Sequence, residues 1–246
     1  MTQTIFLFLS ILFIVAFLYA SVGHGGASGY LALMAIFSIA PDQMKPTALL
    51  LNLFVSSVAF FQFYRGGYFK WKTFWPFALT SVPLSFIGGT ITVNNLVYKK
   101  ILGILLLIPV FRFLFFGNAA PKDLKPANFT LSLIIGAIIG FLSGMIGIGG
   151  GIILSPVLLL LKWADQKQAA AISALFIFVN SVAGLTGQLS KGIHFSSEMI
   201  VYVAVAFCGG MLGAYFGAIR FPQTILKYVL AIVLAAASYK LLFTFA

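Results

Sequence analysis

Acidic residues are almost missing from this 246-residue chain: Asp42, Asp123, Asp165 and Glu198 are all it holds. Four scattered acids, none in the interior of a predicted helix, exclude a carboxylate proton relay and a carboxylate-built cation site within a membrane. Cysteine is scarcer still. Cys208 is alone, which excludes an intramolecular disulfide and a Cys-x-x-Cys dithiol relay. With only two histidines besides, the chain has too few acid–base and ligand groups for a membrane-embedded enzyme, so no catalytic residue, metal or cofactor is expected. Charged residues of any kind make up 8%, against about 25% in soluble proteins.

What is present is apolar. Hydrophobic residues make up 61% of the chain, in runs of about 20 residues with little polar sequence between them, which predicts an all-α polytopic membrane protein. The first run, Ile5 to Ala20, has no positive segment before it and leads straight into the rest of the pattern, so it reads as mature fold and not as a signal peptide. The net charge of +11 comes from 15 basic residues. Scattered singly among apolar segments, they fit topology and anionic lipid, or attraction of a small anion, and argue against nucleic acid.

One half-length pattern occurs twice, about 124 residues apart. Val22-Gly23-His24-Gly25-Gly26-Ala27 returns as Ile146-Gly147-Ile148-Gly149-Gly150-Gly151, and Phe54-Val55-Ser56-Ser57-Val58-Ala59 as Phe178-Val179-Asn180-Ser181-Val182-Ala183. This divides the chain into a first transmembrane repeat (1–117), a linker (118–128) and a second repeat (129–246). Each repeat reads as five helical pieces: 3–22, 27–40, 44–64, 73–93 and 97–116, then 129–146, 151–163, 167–189, 197–218 and 223–244. About eight are full spans; the second of each repeat is too short to cross a core of about 30 Å.

The first two pieces of a repeat form either one broken span or a hairpin. With a hairpin, ten basic residues share one face against five on the other; with a single crossing the split is eight against seven. The positive-inside rule favours the hairpin, hence inverted repeats in the plasma membrane with both termini outside. Trp71, Trp75 and Trp163, near predicted helix ends, read as interfacial anchors.

Interrupted apolar segments at matching places in two halves point to the binding site of a secondary transporter. Gly23, Gly25 and Gly26, with Gly147, Gly149, Gly150 and Gly151, can break a helix within the membrane and free its amides. A half-helix starting after the break aims its positive N-terminal end at the cavity, which suits an anion. The competing reading is close helix packing through small residues. Asn52, Ser56 and Ser57 in the first repeat, with Asn180, Ser181 and Gln188 in the second, are neutral donors in apolar helices. They complete an anion's hydrogen bonding or bond helix to helix. His24 is the one titratable group at a break and the candidate for proton coupling, or a structural histidine at the cavity rim.

Gly23-His24-Gly25-Gly26 with its short following helix, and Gly144-Met145-Ile146-Gly147-Ile148-Gly149-Gly150-Gly151-Ile152-Ile153-Leu154-Ser155-Pro156, resemble the sulfite exporter TauE/SafE family over essentially the whole chain. The second motif, with Pro156 five residues past the glycine triplet, is the more specific; the first departs at Ala27 and has Ala32 where the proline would stand. The resemblance implies a permease for a small sulfur-containing anion such as sulfite, thiosulfate or a short organosulfonate. Its expected partners are that anion and membrane lipid. A passive anion channel, or a structural subunit that needs a partner, fits the composition equally well.

Overall fold

A computed structural model describes residues 2–21, 26–115, 123–192, 197–217 and 223–243. Ten helices carry them, with no strand among the described residues: α1 (Thr2–Ser21), α2 (Ala27–Ile36), α3 (Pro41–Arg65), α4 (Trp71–Thr90), α5 (Asn95–Phe115), α6 (Phe129–Ile146), α7 (Gly151–Leu160), α8 (Gln166–Leu189), α9 (Ser197–Gly217) and α10 (Gln223–Phe243). Gly23, His24 and Gly25 lie outside the described residues.

Local chemistry sets the starts of the long helices. Pro41 stands at the head of α3 with Asp42 in its first turn, where a missing N–H costs nothing and a negative charge meets the positive helix end. Asn128 Oδ1 accepts from Leu131 N–H at 3.0 Å to cap α6. Asp165 and Gln168 form a reciprocal capping box at α8, satisfying amides that would otherwise be orphaned.

The two short helices begin where expected, at Ala27 and Gly151, but each is ten residues long, shorter than 27–40 and 151–163. The reason is the same closure at both ends. Ser38 and Lys162 take left-handed backbone (φ 58° and 57°); Ile39 N–H then reaches back to Met34 O and Trp163 N–H to Leu158 O, both at 2.9 Å. Those bonds turn the chain out of the helix in a Schellman motif. At about 15 Å, α2 and α7 span half a bilayer core.

Outward surfaces are apolar: Phe6, Ile200 and Ile232 are each about two-thirds exposed or more. Helices α3, α6 and α8 are long and apolar enough to cross a membrane by length and composition. A protein with this exterior is membrane-embedded. Trp71 and Trp75 stand exposed, as interfacial anchors do, whereas Trp163 is a correction: it is buried, its ring tilted against Phe77 at 6.1 Å, because the closure after α7 folds it inward.

Helices far apart in the chain pack on one another. α4 packs along α6, α1 along α9, α3 across α8, and α5 against α10. Close packing is glycine-driven. A Cβ at Gly136, Gly140 or Gly144 of α6 would run into α4 at Phe77, Ser81 or Ser85, and one at Gly209 or Gly213 of α9 into α1 at Phe13 or Phe17. Four-residue steps on both partners mean parallel pairs, the small-residue packing that lets membrane helices touch backbone to backbone. Ser85 beside Asn180 and Gly89 beside Gly184 make α8 parallel to α4 as well. Since α6 and α8 both run with α4, α7 between them runs back, and α6–α7 is a hairpin. α3 runs antiparallel to α8: Asn52 meets the level of Ser181, and Leu49 that of Gly184.

Candidate functional site

Gly26 and Gly150, the residues before α2 and α7, both have left-handed backbone (φ 77° and 76°), and neither helix start has a side-chain cap. Both starts are buried. A helix leaves its first amides without intrahelical partners, so an uncapped buried start keeps donors aimed at whatever stands before it. Here the two starts face one space. Gly26 and Ala27 from α2, with Gly151, Ile152 and Ser155 from α7, line an internal cavity of about 10 Å³, closed on another side by Ser173 of α8. Two positive helix ends thus border one small cavity, an arrangement that favours negative charge.

Gly149 is where backbone and polar side chains meet. Its φ is 74°, and a Cβ there would stand 2.7 Å from Asn52 Nδ2 and 3.4 Å from Ser181 Oγ. Asn52 is fully buried and neither of its amide atoms has a hydrogen-bond partner; the same holds for Ser56 Oγ, Ser173 Oγ and Ser181 Oγ. Asn180 donates from Nδ2 to Phe176 O (2.8 Å), and its backbone carbonyl accepts from Ser85 Oγ (2.8 Å), but its Oδ1 is unpartnered. Gln188 is buried with both amide atoms unpartnered. Each such group carries a desolvation penalty of about 1–3 kcal/mol that a bound polar ligand would relieve.

The structure therefore sets Gly149 beside Asn52 and Ser181, places Gly26 and Gly151 in the cavity wall with Gly150 just before α7, and leaves Ser56, Asn180 and Gln188 buried elsewhere on α3 and α8. Ser57 stands apart: it is exposed and its hydroxyl bonds back to Leu53 O, because the residue after Ser56 on a helix faces about 100° away. Pro156 lies buried within α7, one residue past Ser155 in the cavity wall. Gly147 ends α6 (φ 88°) and packs on the backbone of Lys45 of α3.

Several residues at the site carry no signal in the sequence. Tyr30 is fully buried with its hydroxyl unpartnered, beside Gly26. Tyr19 closes the cavity and shares a 2.7 Å hydrogen bond with Ser28. Tyr98 of α5 donates to Ile146 O at 2.9 Å, tying the end of α6, while Lys45 Nζ sits 4.8 Å from the centre of its ring. Only the duplication offered a filter for site residues, and none of these four positions matches its counterpart in the other half: Leu154 stands for Tyr30, Ser143 for Tyr19, Ala169 for Lys45. Among the described residues no three of His, Cys, Asp and Glu stand together to hold a metal ion.

Comparison with known proteins shows the family. The family model for sulfite exporter TauE/SafE matches residues 8–241. A probable membrane transporter protein of Sinorhizobium fredii is 35% identical over 236 residues, covering 94% of this chain and 95% of its own. A probable membrane transporter protein of Methanocaldococcus jannaschii is 30% identical over 215 residues, 81% of this chain and 79% of its own. A sulfite exporter TauE/SafE family protein of Arabidopsis thaliana is 29% identical over 80 residues, 32% of this chain and 18% of its own. No solved structure matches.

Proposed function

This chain belongs to the sulfite exporter TauE/SafE family of membrane transporters, and on that premise we propose that it is a secondary transporter carrying a small sulfur-containing anion across the plasma membrane by alternating access. The observation that carries the reading is the pair of uncapped, buried helix starts sharing one cavity with the unpartnered hydroxyl of Ser173. Positive helix ends without a fixed lysine at the centre bind an oxyanion and still release it. The cavity's room of about 10 Å³ suits one water, less than an oxyanion of several non-hydrogen atoms needs. The helices must separate to admit substrate, which is the closed stage of an alternating cycle.

The two repeats, 1–117 and 129–246 about a linker at 118–128, are inverted, with eight full spans and the half-helices α2 and α7. The reading is supported by matched left-handed residues 124 positions apart, Gly26 with Gly150 and Ser38 with Lys162, and by the antiparallel crossing of α3 and α8. Both termini then lie outside, opposite the face richer in lysine and arginine. His24, at the first break, supplies the group for proton coupling.

Uptake of radiolabelled sulfite, thiosulfate, sulfate and ethanesulfonate into proteoliposomes, with a pH gradient on and off, tests this. Saturable uptake of one anion, competed by its relatives, is expected. No uptake of any, by protein shown to be folded and inserted, would remove the sulfur-anion assignment; flux that never saturates would make the protein a channel.

A further inference from the structure

We propose that Lys45 and Gln188 form a second anion station, beside the central site and on one side of it only, through which the anion passes at the membrane face where α10 ends. The inference rests on the transporter reading above and adds a specificity-determining pair to it.

The register of α3 on α8 places the two residues at one level of the crossing. The helices cross antiparallel, with Asn52 level with Ser181 and Leu49 level with Gly184. One turn further along each helix, the same register brings Lys45 level with Gln188. Gln188 is buried with its carbonyl and its amide both unpartnered. Buried amides of that kind are rare in folded proteins, and a polar group that visits the site accounts for this one.

Lys45 supplies the charge. It is half-buried, has no carboxylate partner among the described residues, and holds its Nζ 4.8 Å above the centre of the Tyr98 ring. That ring is itself fixed by its bond to Ile146 O, and the Lys45 backbone lies 3.0 Å from where a Cβ at Gly147 would be. The cation is therefore anchored at the glycine break of the second half. It is oriented by an aromatic face, and its charge is not neutralised by an acid.

The station has no mirror image. At the matching positions of the other half stand Ala169, buried, in place of the lysine, and Gln62, which matches Gln188 in the register that pairs Arg65 with Lys191 but is exposed. The face concerned is the one where α10 ends: Lys240, three residues from the end of that helix, donates to Ile36 O at 2.7 Å, and α3 begins at Pro41 just beyond. A fold of two similar halves thus carries one anion-attracting mouth.

The test uses full-length protein in proteoliposomes, with sidedness read from protease access to a C-terminal tag. The probe is whichever of radiolabelled sulfite, thiosulfate, sulfate or ethanesulfonate the wild-type protein takes up. Lys45→Met keeps the stem over Tyr98 and removes the charge. Its half-saturating concentration should rise about tenfold from the tagged face, about 1.4 kcal/mol, and stay within about twofold from the other face, with Lys45→Arg restoring the wild-type value. Gln188→Glu, which neutralises Lys45 in place, should raise the same one-sided value even if the lysine variant folds poorly. If Lys45→Met and Gln188→Glu leave both faces unchanged or weaken both equally, or if Lys45→Arg fails as Lys45→Met does, the station is overturned while the transporter stands. If the wild-type protein takes up none of the four anions, the transporter reading falls, and the station with it.

Discussion

Gly149 and Asn52 are fitted so closely that one added carbon would separate them: a Cβ on Gly149 would stand 2.7 Å from Asn52 Nδ2. The break between α6 and α7 thus rests directly on the polar line of α3, and the amides freed by the break share their surroundings with the buried side chains. Two constraints act at this glycine, its left-handed backbone and the contact, and they can be separated.

Gly192 supplies the control. Its φ of 79° resembles the 74° of Gly149, but a Cβ there meets nothing within 4 Å. Alanine at either position strains the backbone by about 1–2 kcal/mol. Thermal unfolding in detergent should show both losses. Anion uptake should fall at least about tenfold for Gly149→Ala alone, since only there does the methyl displace Asn52. Equal uptake by the two variants would assign Gly149 to backbone shape and remove it from the site.

Asn52→Asp changes shape little and adds a negative charge where an anion is to bind. Like charges at close range in a dry site cost several kcal/mol, so uptake should drop about a hundredfold while the protein still inserts. Ser57→Ala, on the exposed side of the same helix, should transport as wild type. If Asn52→Asp transports normally, the Asn52 amide does not face the anion.

Tyr98→Phe tests the tie between α5 and the end of α6. The hydroxyl bonded to Ile146 O is buried, and its removal leaves a carbonyl unsatisfied at a cost of about 1–3 kcal/mol. A thermal midpoint lowered by several degrees is the expected result. A variant with unchanged stability would show that water or lipid replaces the hydroxyl.

The sequence was most legible where backbone geometry leaves a compositional mark. The starts of α2 and α7 follow from glycines, and the start of α8 falls within one residue of its expected place because Asp165 and Gln168 form a cap. The ends of the short helices were hidden, since Ser38 and Lys162 adopt a left-handed turn that neither residue type signals. Side-chain convergence was half legible. Asn52, Ser56, Asn180, Ser181 and Gln188 stand out in apolar helices, but Ser57 does so equally and points outward. Tyr30 and Tyr98 pass for ordinary core or interface aromatics until the fold shows what their hydroxyls face. The glycines of α6 and α9 show small-residue packing at glycines other than those of the two breaks.

Orientation is set by charge, and a pair of lysines tests it. Lys72, at the start of α4, and Lys191, just past α8, lie near opposite ends of helices that run parallel. The 24 residues of α8 rise about 36 Å, more than a bilayer core of about 30 Å, so the two positions stand on opposite faces. Lys72 belongs to the more basic group, which the positive-inside rule keeps in the cytoplasm. In a Cys208→Ala background, a membrane-impermeant maleimide applied to intact cells should label Lys191→Cys and spare Lys72→Cys, and permeabilised cells should label both. Labelling of both in intact cells would break the inverted arrangement. The reverse pattern would keep that arrangement but turn the protein over, so that the mouth at Lys45 and Gln188 would open to the cytoplasm and the same residues would serve export at their high-affinity side.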